Sequence, residues 1–351
     1  MALIDLPQTK WGGGTGRQVI LKRDFAAIEE ALVESFAMGA GLSLEYTDQS
    51  QVRVNATANC KARVMLDGFP SPLHREARVD GGLSDGRYRE NAAPETLDLE
   101  TPGHLWGAEK SNQWYAVYAV AGSTEAIFSL KAMPLMRVSS QDAQTIYLRN
   151  NADDADIGYG FAVDELANAK ILVLTGASRG EVRRIVGNNS DNGAGGTITY
   201  DGGTLSLTQG DWFVVLPKAN FRYIGMILND AAGNLVPFRQ QGKNFVYLAP
   251  RTLSSGALAG FVAVDPALAA PPTARVMEGF AAASNGAEIK LAISYNGSTP
   301  AIIVHGAPAA GAFQGMHGAL PFRCQTPEDH QLFLDNGNSE DQVVKITGWE
   351  E

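Results

Sequence analysis

Cysteine is almost absent. The chain has two in 351 residues, Cys60 and Cys324, which excludes a disulfide framework. No CxxC or HxxxH spacing occurs, so no structural zinc site is implied. Basic charge is the minority sign: Lys plus Arg number 28 against 38 Asp plus Glu, a net charge of −10. A chain of that sign repels phosphate backbones, and no nucleic-acid partner is expected. Long apolar runs are missing as well. The best, 257–264, falls far short of the ~20 residues a membrane helix needs, so no membrane insertion is expected. Met1 to Lys10 lacks the basic start and apolar stretch of a secretory signal, which leads to an expectation of synthesis in a cytoplasm.

What is there is a turn-rich globular composition. Hydrophobic residues make up 45% and charged residues 19%, which is too apolar for a disordered chain. Glycine and proline, 38 and 16 residues, exceed the ~12% of an average protein and point to many turns between short strands. At roughly 150 residues per domain the length fits two or three units. The expected fold is mainly β: a short N-terminal helix, then antiparallel β-sandwich or barrel modules.

Along the chain, residues 1–42 read as an arm and a helix. Trp11-Gly12-Gly13-Gly14-Thr15-Gly16 is Gly-rich, and Lys10, Arg17, Lys22 and Arg23 make this end basic. From Asp24, a plausible N-cap, Phe25, Ile28, Leu32 and Phe36 form one apolar stripe of a helix over 24–38. The period then changes to two. Val52, Val54, Ala56, Ala58, Cys60, Ala62 and Val64 alternate with mostly polar residues, one or two half-buried strands, and place Cys60 as a buried thiol. Further strands are expected at 114–120, 126–132, 145–148, 170–175, 197–200, 211–216, 221–228 and 245–248. Turns such as Asp201-Gly202-Gly203 and Ala232-Gly233-Asn234 separate them. The expected organisation is a β domain over 43–250 with an inserted β segment at 139–220. A linker over 251–273 follows, marked by Asp265-Pro266 and Pro271-Pro272, and then a C-terminal β-sandwich over 274–351. Its strands are expected at 274–282, 288–295, 301–304, 331–334 and 342–347.

Several motifs resemble chemistry. Thr175-Gly176-Ala177-Ser178-Arg179-Gly180 follows an apolar strand, like a dinucleotide-binding turn. But Val182 stands where the last glycine belongs, a following helix would run only from Glu181 to Val186, and no Tyr-x-x-x-Lys pair exists. A β-hairpin turn at 176–180 is the preferred reading. The same letters spell Gly-x-Ser-x-Gly around Ser178, and Gly82 to Gly86 repeat them around Ser84. A nucleophile elbow needs a strand before the serine and a long helix after it, which Ser84 lacks on both sides and Ser178 on one. His305, His317 and His330 lie downstream of Ser178; His74 and His104 are isolated. Asp153, Asp154 and Asp156 read as a solvated acidic turn rather than an ion site, since their spacing is not that of an EF-hand. Trp106, Trp114, Tyr115, Tyr118, Trp212 and Tyr223 could stack on sugars, but most lie inside strand-like runs, where core packing is the simpler role. The sequence therefore offers no catalytic, cofactor-binding or metal residue set, and no enzyme activity or cofactor is expected.

Three stretches carry a family resemblance. Phe221 to Asp230 followed by Ala232 to Phe238, "xRYIGxxxND-x-x-GN-x-x-PF", resembles a hairpin of tailed-bacteriophage virion proteins. Trp114 to Val120 is similar to their "WYxVYAV" strand, and Val344 to Glu351 to their closing strand. The resemblance implies a tail-fibre, collar-fibre or receptor-binding structural protein, located in the virion after assembly in the host cytoplasm. It implies a homo-oligomer, with a trimer favoured. Residues 1–23 would dock other virion proteins, and the distal modules would meet a host-surface glycan. A head decoration or tail-associated protein is the alternative within that class, and a polysaccharide-degrading appendage the alternative outside it.

Overall fold

Alternation of apolar and polar residues sends successive side chains to opposite faces of a strand, and glycine-bearing turns fold such strands back antiparallel. Among the described residues, 276–283 obey this pattern, while 212–216 are buried on both faces. The computed structural model describes residues 43–55, 62–65, 88–91, 93–121, 128–148, 158–190, 196–283, 289–306, 319–327, 330–337 and 342–351. The arm and helix expected over 1–38, Cys60, Ser84, His74, His317 and the acidic turn at 153–156 lie outside the described residues. Among the described residues the protein is mainly β, built of antiparallel sheets, and its only helix is a 3-10 turn at Pro266–Leu268.

Strands are numbered along the chain. The largest sheet holds β1 (Ser43–Asp48), β2 (Gln51–Asn55), β5 (Thr96–Asp98), β14 (Phe238–Gln241), β15 (Asn244–Ser255), β17 (Val276–Ala283), β20 (Ala319–Gln325) and β22 (Gln342–Glu350). Its order is β20-β17-β22-β15-β14-β1-β2-β5. A second sheet holds β6 (Trp114–Ala121), β7 (Phe128–Asp142) and β13 (Phe221–Leu228). It continues into β8 (Thr145–Leu148), β9 (Lys170–Val173), β10 (Val182–Asn188), β11 (Thr197–Tyr200) and β12 (Trp212–Leu216). A four-stranded sheet runs β16 (Val262–Val264), β21 (Leu332–Asp335), β18 (Ile289–Ser294) and β19 (Pro300–Gly306), and β3 (Ala62–Met65) pairs with β4 (Tyr88–Asn91).

The second sheet closes on itself. Neighbours run β7-β8-β11-β10-β9-β12, and β12 returns to β7 through Trp212↔Arg137, Phe213↔Met136 and Val214↔Leu135, giving a six-stranded barrel. The stretch 139–220 thus supplies β8 to β12 of this barrel. Strand β7 changes partner along its length, meeting β6 over 128–134, β12 over 135–137 and β8 over 138–142. Pro134 sits at the first handover, a point where a missing N–H costs least.

Strands β6 and β13 pair along their whole length and pack face to face on the largest sheet. The approach is close enough that a Cβ on Gly225 would stand 2.6 Å from Phe245 Cζ and 3.3 Å from Leu44 Cδ1. An aromatic cluster fills the space between them. Trp349 stacks on Phe245 with centroids 4.7 Å apart, meets Trp114 edge-on at 5.4 Å, and touches Tyr247 at 5.1 Å. Trp114, Tyr115, Tyr118, Trp212 and Tyr223 are all buried in this core, so core packing is their role.

The expected linker at 251–273 takes a different form. Its first residues finish β15, 262–264 form β16, and Asp265 caps the 3-10 turn by accepting the Ala267 N–H at 3.0 Å. Strands β17, β20 and β22 join the sheet of β1, β2 and β15, while β18, β19 and β21 form a separate sheet with β16, which pairs with β21. The expected C-terminal module is therefore split between two sheets, and Gly41–Glu351 forms one compact unit. The physical reason is β22, which lies between β15 and β17 and pairs with both.

Candidate functional site

The Thr175–Gly180 turn joins β9 to β10 as an antiparallel hairpin, with Leu172 opposite Val182. Gly176 and Gly180 take φ of +80° and +86°, a region L side chains disfavour. Asp211 explains the first glycine. Its carboxylate oxygens lie 2.3 and 2.5 Å from where a Gly176 Cβ would be. That carboxylate accepts from Thr175 Oγ1 at 3.3 Å and from the N–H and Oγ1 of Thr208 at 2.7 and 3.0 Å. A negative group on the turn is the opposite of what a pyrophosphate requires. Residues 182–188, where a helix would have to start, are strand β10. Ser178 is buried and its Oγ accepts the Ser206 N–H at 2.8 Å, so it serves the turn and is no nucleophile elbow.

Of the described histidines, only His330 is buried, at 4% exposure. It holds φ +55° and its N–H donates to Pro327 O at 3.0 Å. Three distant segments meet here. Arg137 on β7 pairs with Asp265 at 2.9 Å, donates through Nε to Gly210 O at 3.2 Å, and stacks over Trp212 at 5.1 Å. Burial pushes the imidazole down to about 4, against the favourable pull of Asp265 and the Ala270 carbonyl and with added repulsion from Arg137 and Arg179. The ring is therefore neutral at physiological pH. Neither ring nitrogen makes a hydrogen bond of normal geometry, so no hydroxyl is poised on it as a nucleophile would be. The arrangement is a half-buried ion pair between the barrel and Asp265, with the buried His330 beside it.

A second enclosed acid lies at the junction of β13 and β22. Glu351 keeps some exposed surface, yet its Oε1 accepts from Tyr223 Oη at 2.6 Å and Thr273 Oγ1 at 2.8 Å. Burial raises its carboxyl to about 7, outweighing the opposite pull of those two hydrogen bonds. The same burial, with the charge of Glu351, raises the Tyr118 and Tyr223 phenols.

The hairpin stretch that carried the family resemblance also has a structural use for its polar letters. Asn229 is fully buried, and its amide donates to Glu109 Oε1 at 2.9 Å and Lys110 O at 3.1 Å. Burial raises the Glu109 carboxyl, the Asn229 bond lowers it, and Glu100 and Asp98 add to the rise. Asp230 Oδ1 accepts the N–H groups of Ala232 and Asn234 and so closes the turn. Among the described residues no three His, Cys, Asp or Glu side chains are grouped closely enough to hold a metal. Cys324 is a buried free thiol, pushed up to about 12 by burial.

No family model, curated protein or solved structure matches this chain. Its polar clusters are thus read on their own geometry. Sequence reasoning singled out Ser178 and His330 separately; the Arg137–Asp265–His330 joint and the Glu351–Tyr223–Thr273 contact went unseen. A proline-flanked Asp265 at the head of a short helix was the one local signal for the former.

Proposed function

We propose that this protein is a structural component of a tailed-bacteriophage virion, a tail or collar fibre or a receptor-binding part, working by binding and assembly. The observation that carries the reading is where the three resembling stretches lie. Trp114 of the first, Tyr223 and Phe238 of the second and Trp349 of the third are all buried in one core, with Trp114 against Trp349. These positions belong to one packed core of this chain, which supports reading the three stretches together. A framework whose polar groups are spent on turns and joints suits a part that is assembled rather than one that turns over substrate.

In this reading the arm 1–23 docks on neighbouring virion proteins, the helix 24–38 packs against the β domain or symmetry mates, and the β modules face outward as sandwich and barrel. The experiment is deletion of residues 2–20 in the phage that encodes the chain. A product that folds but is missing from purified particles supports attachment through the arm. Parental incorporation removes that role, and absence of the full-length protein from purified particles refutes the virion assignment. Incubation with host polysaccharide is expected to release no new reducing ends; reproducible depolymerisation would make the protein an appendage enzyme instead.

A further inference from the structure

The barrel turns one block of hydroxyl side chains toward solvent. Strands β8 and β11 read Thr-Ile-Tyr-Leu and Thr-Ile-Thr-Tyr, and each alternates outward and inward, with Ile146, Leu148, Ile198 and Tyr200 buried. Pairing sets Thr145 beside Thr199 and Tyr147 beside Thr197, and on the other side of β8 it sets Ser140 beside Tyr147. Residues opposite each other in a ladder share a face, about 5 Å apart across strands and about 7 Å along one. Tyr147 is 40% exposed and supplies the one ring of the block. Inward groups of the same strands are used within the fold, as Gln141 donates to Tyr200 Oη at 2.8 Å. The five outward hydroxyls have no hydrogen-bond partner among the described residues. Carboxylates bound the block at both ends. Asp142 lies beside Thr145. At the other end Thr199 lies beside Gly187, and the Asp164 carboxylate stands over that glycine, 2.5 Å from where its Cβ would be. Arg184, further along β10, faces Asp201 at 3.7 Å.

We propose that this face binds a neutral glycan, with a sugar ring stacked on Tyr147 and sugar hydroxyls bonded to the Ser and Thr groups and to the flanking Asp142 and Asp164. The proposal deepens the reading of the chain as a virion part that meets a host surface, and it rests on that reading for where such a glycan is found. The chemistry selects the class. Ser and Thr hydroxyls both donate and accept, as sugar hydroxyls do, and a carboxylate accepts from O–H groups. A tyrosine offers an apolar ring with a polar tip. An acidic polysaccharide, a lipid phosphate or a nucleic acid would meet two carboxylates and no cation within the block. A protein partner is carried by buried Trp, Tyr and Arg anchors, among which Ser and Thr are under-represented, and here they make up four of the five.

An open face encloses less of a ligand than a cleft does, so a single site binds weakly. Several copies held in one assembly bind a repeating glycan together, and such linkage raises avidity by about a hundredfold or more. A contact made through hydroxyls and a ring is also insensitive to salt, unlike one set by exposed charge pairs.

The test is retention of the purified full chain on an array, at low and high salt. The array carries neutral hexose and N-acetylhexosamine oligosaccharides, anionic oligosaccharides, and polysaccharide extracted from the host surface. The expected result is binding to neutral glycans that survives salt and falls about tenfold or more in Tyr147→Ala, which removes the stacking ring. Thr199→Lys, which lays a long charged side chain across the block, should weaken it as well. Thermal melts matching the parent show the variants folded, and because both positions are exposed, either variant serves if the other misfolds. Retention of anionic glycans alone, retention lost in salt, retention unchanged in the folded variants, or no retention would each overturn the proposal. Incorporation into particles is scored separately. A chain that is incorporated but holds no glycan overturns this inference alone; one that holds neutral glycan but is missing from particles overturns the virion reading and leaves the site standing.

Discussion

His330 and Glu351 set up opposing pH dependences that one pair of substitutions can separate. The imidazole moves from an ordinary 6.5 to about 4 in the folded state. As pH falls below 6.5 the unfolded chain takes up a proton that the folded chain refuses, so stability is present above 6.5 and is lost as pH falls toward 4. At about 1.4 kcal/mol per pH unit the full effect is about 3 kcal/mol. The Glu351 carboxyl moves from 4.5 to about 7. Here the folded chain keeps a proton that the unfolded chain gives up, so stability is present below 4.5 and is lost as pH rises toward 7, again by about 3 kcal/mol. Between pH 4.5 and 6.5 the two contributions run in opposite directions and nearly cancel. Glu351→Gln keeps an oxygen to accept from Tyr223 and Thr273 but no longer titrates. In that variant, denaturant unfolding should show stability dropping by about 2–3 kcal/mol from pH 6.5 to 4.5 relative to the parent's profile. His330→Asn, a residue that tolerates positive φ, should show the reverse, with stability rising over the same acidification. The measurement is the difference in slope between variant and parent, so a uniform loss of stability does not disturb it. If the Glu351→Gln profile matches the parent's between pH 4.5 and 6.5, the carboxyl does not titrate there and the reasoning fails.

Gly225→Val should cost at least 1–3 kcal/mol in denaturant melts, because β13 lies too close to Phe245 and Leu44 to admit a side chain; a melt equal to the parent's would mean the two sheets stand further apart. Trp349→Ala removes the ring that stacks on Phe245 and abuts Trp114, and an unfolding loss of about 3–5 kcal/mol is expected. Cys324 should resist a thiol reagent in the folded protein and react promptly after denaturation, since a buried thiol held near 12 supplies almost no thiolate; prompt labelling of the folded chain at Cys324 would contradict its burial. Ser178→Ala should cost about 1 kcal/mol through the Ser206 bond and leave the hairpin in place, as read from an unchanged circular dichroism spectrum.

The strands with one clear period were legible. Those expected at 145–148, 197–200 and 221–228 coincide with β8, β11 and β13, because glycine and asparagine turns mark their ends and β-branched or aromatic residues fill them. Strand β10 was unreadable as such, since Arg183 and Arg184 break its alternation; its identity comes from pairing with β9 on one side and β11 on the other. Strand β20 carries Pro321 and a cysteine, and only its neighbour β17 makes it a strand. The sheet membership of the C-terminal strands was illegible for a related reason. The Pro-Pro stretch looks like a linker locally, while the partner of β15 lies about a hundred residues further on, in β22, and no local pattern encodes a register of that range. The ionic joint was illegible because Arg137, Asp265 and His330 come from three separate segments, and only the closed barrel brings the first to the other two.

Strand β7 belongs to two bodies at once, entering as part of the β6/β13 layer and leaving as a wall of the barrel. At about 3.3 Å per residue its 15 residues span about 50 Å without a break. A pull on the barrel along that axis reaches the rest of the protein as shear. It strains many cross-strand hydrogen bonds side by side instead of peeling them one at a time. Tension along that axis is borne by the paired backbone of β7 and its neighbours β6, β12 and β8. The barrel and the layer thus share one strand at β7, and they are tied again where β12 leads into β13.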